Sequence, residues 1–427
     1  MDDVTPPRRP DPLLDVENNT EKTPQNQPNS IEEPTNSSEP AFIPPEEAAA
    51  KDNGGSESSP QTMQMDSKLK KPKKLRKFKI PLPHGKKQWF IFISFVLILA
   101  GSFTTYWYKF RGLSVSPLNL KKVAAPAKPA PTTEVSKLSG LEVPIGTNEK
   151  PVTAIQIENS VDARPQAGLK DASIVFEAIA EGGITRFNAV FQDTEPDYIG
   201  PVRSLRPYYI DWFWPFDASI AHVGGAPQAL ADVKSLGIKD LDQFYNSGAY
   251  QRITSRYAPH NVYTSIAKLR EVEQKKGYTS ANFTGFARKK EQKLATPTAK
   301  TIDLKISSYY YNVHYDYDAT NNAYLRSEGG APHKDDKSET QLEPKVVIAI
   351  VMTRGKASDG QHTEYGTVGS GHMFVFQDGY ETEGTWSKDS RQAQWKFTAT
   401  DGKPLEFNPG QTWITMVDSN SLVTYAP

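Results

Sequence analysis

The stretch ASIVFEAIAEGG at residues 172–183 and the stretch that follows it, TRFNAVFQD at residues 185–193, decide the fold class of this chain. Both are rich in β-branched, aromatic and other apolar residues and are bounded by turn residues, which is typical of strands. TAIQIENS at residues 153–160 has the same character, and DASIAHVGG at residues 217–225 predicts a strand that leads into a turn. We therefore expect several strands in this part of the chain.

Helix signals alternate with these strands. Pro227 lies at the first turn of one predicted helix, and a second predicted helix, Ser265–Lys276, ends at Gly277. Apolar residues recur on one face of each at helical spacing. Residues 141–290 are therefore predicted to form an α/β domain. The residues predicted to face inward are Leu230, Val233, Ile266, Leu269 and Val272.

The remainder of the chain changes to strands and turns after a Lys-rich connector near residues 287–300. Asp378-Gly379 and Asp401-Gly402 are strong tight-turn signals. Residues 300–427 are therefore predicted to form a mostly-β module. The predicted strands are SYYYNVHYDYD (308–318), AYLRSE (323–328), VVIAIVM (346–352), HMFVFQDG (372–379), WKFTATDGK (395–403) and QTWITMV (411–417).

One stretch is long and apolar enough to cross a membrane as a helix. QWFIFISFVLILAGSFTTYWY at residues 88–108 is 21 residues long and carries no formal charge. Trp89 and residues 106–108 predict aromatic belts at its two ends. The basic residues before it outnumber those just after it, so the positive-inside rule predicts a single-pass anchor in the cell membrane, with a cytoplasmic N-terminus and extracytoplasmic C-terminal domains.

Composition separates the remaining segments. Residues 1–67 hold 14 acidic against 4 basic residues and 11 prolines, which predicts a disordered acidic cytoplasmic tail. Residues 68–87 hold 10 Lys and Arg and no acidic residue, a polybasic juxtamembrane segment, and residues 109–140 read as an Ala/Pro-rich linker. The chain has no cysteine, which excludes disulfides, thiolate metal sites, a Cys nucleophile and a lipid-modified Cys.

Seven segments carry a resemblance to a known family, in this order along the chain: IENSVDARPQAGL (157–169), ASIVFEAIAEGGITRF (172–187), IGPVRSLRPYY (199–209), AHVGGAPQAL (221–230), RYAPHNVYTS (256–265), GHMFVFQDGYETEGTWSKDS (371–390) and FNPGQTWITMV (407–417). They resemble the bacterial YerB-like proteins with the domain of unknown function numbered 3048. The resemblance implies an envelope location and an N-terminal and a C-terminal family domain, but no established activity. The missing lipidated Cys departs from the family's lipoproteins and implies that a helix replaces the lipid.

Charged residues in these segments predict a site for an anion. If VRSLRPYYIDWFW (202–214) is helical from Arg203 and Arg206, their spacing places both guanidinium groups on one face. Gly224-Gly225 before a helix would present backbone N–H groups to an anion. Alternatively, the glycines only permit a tight turn, and the arginines form structural ion pairs with Glu158, Glu177 and Glu181. The predicted ligand-binding residues are Arg186, Arg203, Arg206, Gly224, Gly225 and Arg256.

Acid–base catalysis is the alternative chemistry. Histidine transfers protons near neutral pH, and Glu177 and Glu181, four residues apart, share a face in a helix or a strand. No metal-ligand pattern is present, so neither a metal nor another cofactor is expected. Gly369–His372 is interpreted as a turn. The candidate catalytic residues are His222, His260, Glu177 and Glu181, with Asp211 as a further carboxylate.

Three functions follow from these patterns. The leading hypothesis is a membrane-anchored extracytoplasmic binding or scaffolding module for an anionic envelope polymer. An envelope hydrolase that uses His and carboxylate residues is the second, and a structural module that presents a surface to a partner protein is the third. Nucleic-acid binding is not expected, because membrane topology already accounts for the basic run. Trp386, Trp395 and Trp413 are expected to be buried rather than to stack on sugars.

Overall fold

A computed structural model describes residues 85–112 and 131–427 of the chain. The predicted acidic tail, most of the polybasic segment and most of the predicted linker lie outside the described residues. The described residues form two units, one containing residues 85–112 and one containing residues 131–427.

The first unit is one helix, α1 (Lys86–Phe110). Its segment Trp89–Phe110 is long and apolar enough to cross a membrane, judged by length and composition. The predicted span at residues 88–108 lies within α1. Lys86 and Lys87 begin the helix, and Lys109 lies in its last turn.

Strands dominate the second unit, and its helices are short. The helices are α2 (Pro207–Phe213), α3 (Pro227–Ser235) and α4 (Ile266–Lys276). The strands before residue 300 are β1 (Thr133–Val135), β2 (Glu142–Pro144), β3 (Thr153–Glu158), β4 (Ile174–Glu181), β5 (Ile184–Phe191), β6 (Ser219–Ala221), β7 (Tyr250–Arg252) and β8 (Val262–Thr264). The later strands are β9 (Thr301–Leu304), β10 (Val313–Asp318), β11 (Ala323–Glu328), β12 (Ala331–Pro332), β13 (Val346–Val351), β14 (Arg354–Lys356), β15 (Thr363–Tyr365), β16 (Gly369–Gln377), β17 (Tyr380–Lys388), β18 (Lys396–Ala399), β19 (Thr412–Val417) and β20 (Val423–Ala426).

The central sheet has nine strands in the order β18-β17-β16-β13-β19-β4-β5-β3-β6. Strand β19 runs parallel to β4, with Thr412 opposite Ile174 and Thr415 opposite Glu177. The two segments predicted as an α/β domain and a mostly-β module therefore contribute to one sheet. The structure shows mostly strands with few helices and does not divide them into an α/β part and a β part.

A second sheet of five strands has the order β12-β11-β10-β9-β20, and β1-β2, β7-β8 and β14-β15 form two-stranded ribbons. Strand β1 pairs with β2, and Leu138 is buried. The folded unit thus includes residues 131–140, which the sequence assigned to the linker.

Side chains of β4 alternate between two apolar cores. Phe176 packs on Trp212 of α2 on one face of the sheet, whereas Val175 faces the core that contains Phe187 and Trp413. A strand buried on both faces reads as a continuous apolar run, which is the pattern of ASIVFEAIAEGG. Trp386, Trp395 and Trp413 are all buried, as predicted.

Local signals placed the bounds of α3 and α4 well, and the start of α2 less well. Ser265 caps α4 by accepting a hydrogen bond from the Lys268 N–H, and Gly277 ends it with a left-handed backbone. Leu230 of α3 was predicted to face inward, but its side chain is exposed on the wall of a cleft. Gly369–His372 is not a turn, because these residues begin the long strand β16 and pair with β17.

Candidate functional site

A cleft of about 880 Å³ lies beside the turn that joins β6 to α3. Residues 202–204 and the turn 223–225 line the cleft, together with residues of α3 and of the loop 240–245. It brings together Arg203, Gly224 and Gly225 of the predicted ligand-binding residues. Its apolar lining includes Val202, Val223, Leu230, Val233, Ile238 and Val262.

Backbone hydrogen bonds hold the two segments that form the cleft side by side. The Arg203 N–H donates to the Gln156 carbonyl of β3, and the Val223 N–H donates to the Arg203 carbonyl. The Leu205 N–H likewise donates to the Gly224 carbonyl. A Cβ atom on Gly225 would lie 3.0 Å from the Leu205 carbonyl oxygen, so this close approach favours glycine.

The turn at Gly224 already binds a carboxylate of its own chain. The Gly224 N–H donates to Asp242 Oδ1 at 3.0 Å, and the Phe244 N–H donates to the same oxygen at 3.2 Å. Asp242 is buried. Its carboxylate therefore occupies the position where the Gly-Gly motif predicted an external anion.

His222 is buried behind the turn, and both of its ring nitrogens contact oxygen atoms of the chain. Nδ1 lies 2.7 Å from the Gly224 carbonyl oxygen, and Nε2 lies 3.1 Å from Asp240 Oδ1. Burial alone would raise the pKa of Asp240, but the hydrogen bond and the charge of His222 lower it below its ordinary value. Both ring nitrogens of His222 are therefore engaged within the chain.

His260 is held by a different carboxylate. Its Nδ1 lies 3.0 Å from Glu158 Oε2, while Arg203 Nε lies 3.1 Å from Glu158 Oε1. Ser160 Oγ lies 3.2 Å from the same His260 nitrogen. The two histidines thus contact separate carboxylates, Asp240 and Glu158, and neither contacts the predicted Glu177, Glu181 or Asp211.

Glu177 and Glu181 do not form a carboxylate pair. A β-bulge between Ile179 and Glu181 interrupts the strand alternation that predicted one shared face. Glu177 is buried between the two sheets, where it accepts hydrogen bonds from Arg326 Nη2 and Trp413 Nε1, each at 3.0 Å. This carboxylate is part of the core.

Glu181 accepts hydrogen bonds from both Arg186 and Arg206, at 2.8 and 2.6 Å, and both guanidinium groups are buried. Burial works to raise the pKa of Glu181, but the two arginines lower it below its ordinary value. These residues form the structural ion pairs that the sequence left open as an alternative.

The predicted helix from Arg203 is wrong, because α2 begins at Pro207. Proline fixes its own backbone for a helix start and disfavours helical geometry in the residue before it, and Arg206 is extended with φ −120° and ψ 147°. Arg256 lies elsewhere and donates hydrogen bonds to the carbonyls of Ala163 and Pro165. Of the four predicted arginines, Arg203 alone lines the cleft.

Two further cations line the cleft with Arg203, namely Lys234 of α3 and Arg252 of β7. Arg252 donates to the Asn261 side-chain oxygen at 2.8 Å, and neither Lys234 nor Arg252 forms an ion pair with any residue in the described part of the chain. The acidic residues of the cleft, Asp240 and Asp242, are both bound by internal donors. Three cations and two carboxylates therefore line the cleft, and one of the cations, Arg203, is already paired with Glu158.

Sequence reasoning assigned no site role to Lys234, Arg252, Phe244 or Tyr245. Lys234 follows Leu230 by four residues, and this helical spacing could have placed both on one face. The loop residues Phe244 and Tyr245 carried no local signal. Among residues 85–112 and 131–427, no group of three or more His, Asp or Glu side chains is placed to hold a metal ion.

Comparison with known proteins identifies the family. Residues 138–279 match the N-terminal domain, and residues 302–414 the C-terminal domain, of the protein family of unknown function DUF3048. A Bacillus subtilis (strain 168) protein named "Putative lipoprotein YerB" is 30% identical over 298 residues, which is 66% of this chain and 85% of the relative. The crystal structure of YerB from Bacillus subtilis matches with a TM-score of 0.62 and 28% identity, covering 69% of this chain and 100% of that chain. The chain therefore belongs to the YerB-like DUF3048 family.

Proposed function

We propose that this chain is a membrane-anchored extracytoplasmic binding protein whose cleft holds an anionic ligand of the cell envelope. The observation that carries the proposal is the charge of the cleft. Arg203, Lys234 and Arg252 face the same space, while the carboxylates of Asp240 and Asp242 are bound by internal donors. An anion in the cleft would gain charge-assisted hydrogen bonds without displacing an internal partner of Lys234.

The envelope location rests on two observations. Helix α1 has the length and composition of a membrane span, and the basic residues before it favour a cytoplasmic N-terminus. The Bacillus subtilis relative carries the name "Putative lipoprotein YerB", and a lipoprotein is attached to a membrane surface. A helix in place of a lipid would keep the folded unit on the same side, and the absence of cysteine from the chain is consistent with that exchange.

A binding role fits the site better than hydrolysis. A general base needs an unengaged nitrogen within reach of the substrate. Both nitrogens of His222 are engaged, and Glu177 and Glu181 are held by arginines. His260 contacts Glu158 and Ser160 through Nδ1, and none of the other three predicted catalytic residues. The predicted hydrolase residues are therefore not assembled around one space.

The test is a calorimetric titration of the full chain, in detergent micelles, with purified poly(glycerol phosphate). We expect binding in the wild type and about tenfold weaker binding in Lys234→Ala/Arg252→Ala, because two exposed charge contacts are lost. Arg203 is left intact in this variant, because removing it would leave the buried Glu158 carboxylate with one cation fewer.

The matched control is Lys170→Ala/Lys356→Ala, which removes the same charge from exposed positions outside the cleft. Equal weakening in both double variants would mean that the polymer senses only the net charge of the protein. No binding by the wild type would refute the proposed function.

A further inference from the structure

A second, smaller hollow adjoins the cleft. It has a volume of about 390 Å³, and Tyr245 lines both spaces. Lys268, Lys275 and Lys276 of α4 line the second hollow, and none of them forms an ion pair with a residue in the described part of the chain. Glu271 is the one acidic residue among the residues that line it. Two hollows lined by basic side chains therefore share one aromatic residue, Tyr245.

The ring is presented to solvent on a firmly held loop. The N–H groups of Tyr245 and Asn246 donate to the Asp242 carbonyl at 3.1 and 3.0 Å, and the Asn246 side chain donates to it at 2.8 Å. Yet Tyr245 is 82% exposed and its neighbour Phe244 is 69% exposed. Large apolar rings held out from the core on an ordered loop are typical of a recognition surface.

We infer that the ligand is an anionic glycopolymer, a chain that carries repeated negative charges and sugar rings, bound across both hollows with a ring stacked on Tyr245. The inference rests on the proposed function and adds its ligand class. Successive negative charges meet Arg252 and Lys234 in the cleft and Lys275 and Lys276 in the second hollow. The apolar faces of the sugar rings cover Phe244 and Tyr245, as amphipathic aromatic side chains favour.

Binding across both hollows predicts that the affinity rises with the length of the glycopolymer. A disaccharide fills one hollow, whereas a longer chain of the same sugar engages the second at high effective concentration. The probes are the disaccharide and a long oligomer of one uronic acid, titrated into the full chain in micelles. We expect the oligomer to bind at least about tenfold more tightly than the disaccharide.

Two variants distinguish what the second hollow and Tyr245 contribute to the affinity. Lys275→Ala/Lys276→Ala should weaken the long oligomer to near the affinity of the disaccharide and leave the disaccharide unchanged. Tyr245→Ala should weaken the oligomer about tenfold, because the stacking ring is lost. Tyr309→Ala is the matched control, since Tyr309 is also exposed but lines neither hollow.

Each outcome decides between the two claims. Binding across both hollows is overturned if the disaccharide and the oligomer bind with equal affinity, or if Lys275→Ala/Lys276→Ala leaves the affinity for the oligomer unchanged. The proposed function still stands in that case if poly(glycerol phosphate) binds. Sodium polyphosphate that binds as tightly as the uronic acid oligomer, with no effect of Tyr245→Ala, overturns the role of sugar rings. If no anionic polymer binds, both claims fall.

Discussion

At the scale of single residues, Arg326 is a cation whose side chain is fully buried. Its guanidinium group donates to Glu177 at 3.0 Å, lies 3.6 Å from Glu328 and stacks 4.4 Å from the Trp413 ring centroid. Arg326 belongs to β11 and Glu177 to β4, so this cluster joins the two main sheets. Its value to the protein is to satisfy carboxylates that cannot reach water.

Arg326→Met is therefore expected to lower the free energy of unfolding by about 3–5 kcal/mol, because the buried Glu177 carboxylate loses the cation that pairs with it. Urea denaturation of the full chain in micelles measures it. The control is Arg354→Met, which breaks an ion pair with Asp418 near the surface and should cost about 0–1 kcal/mol. Similar losses in both variants would contradict the role assigned to the buried cluster.

Glu328 makes stability depend on pH. Burial raises the pKa of this carboxyl to about 7, although the charge of Arg326 opposes the rise. The folded state then holds a proton that the unfolded state has released, so this contribution is complete below the ordinary pKa of Glu and is lost as the pH rises through about 7.

Wild-type chain should accordingly lose more stability than Glu328→Gln when the pH is raised from about 5 to about 8. Urea midpoints at the two pH values give the comparison. The same pH dependence in both proteins would mean that Glu328 is ionised in the folded state throughout this range.

At the scale of elements, local sequence signals work where the cause is local. Gly277 ends α4 with φ 78°, a left-handed backbone that costs little only for glycine. Gly277→Ala should lower the free energy of unfolding by about 1 kcal/mol. Gly248→Ala is the matched control, because Gly248 has open space around it and no left-handed backbone. Equal effects in the two variants would argue against a specific cap at Gly277.

The misplaced site residues show where local reasoning stops. The signal against helical geometry at Arg206 is in the sequence, because Pro207 follows it. The bulge before Glu181 and the Asp242 carboxylate in the Gly224 turn have no such signal. They depend on strand pairing and on a loop that returns to the turn, so the candidate site could be located only in part from the sequence.

At the scale of the whole molecule, the central sheet makes the two family domains depend on each other. Strand β19 comes near the end of the chain, but it lies between β13 and β4 in the middle of the sheet. Its Trp413 packs edge to face on Phe187 of β5 at 5.5 Å. Parallel pairing of distant strands leaves no local trace, which is why the sequence predicted two modules and the structure shows one sheet.

A chain that ends at residue 411 should therefore fail to fold. Its first half should fail as well, because β4 loses the hydrogen-bonded neighbour β19 and the apolar side chains that β19 packs beside it. Limited proteolysis and circular dichroism of the truncated protein test this. The control chain ends at residue 422 and loses only β20, which lies at the edge of the second sheet. A protease-resistant first half in the shorter chain would contradict the shared core.

The most direct test of the central claim is hydrogen–deuterium exchange of the full chain in nanodiscs, with and without saturating poly(glycerol phosphate). A ligand in the cleft is expected to slow exchange at the backbone of residues 223–225 and 242–246 and to leave β10 and β11 unchanged, because bound segments open less often. Protection confined to other parts of the chain, or none at a concentration where calorimetry shows binding, would contradict the assignment of this cleft as the binding site.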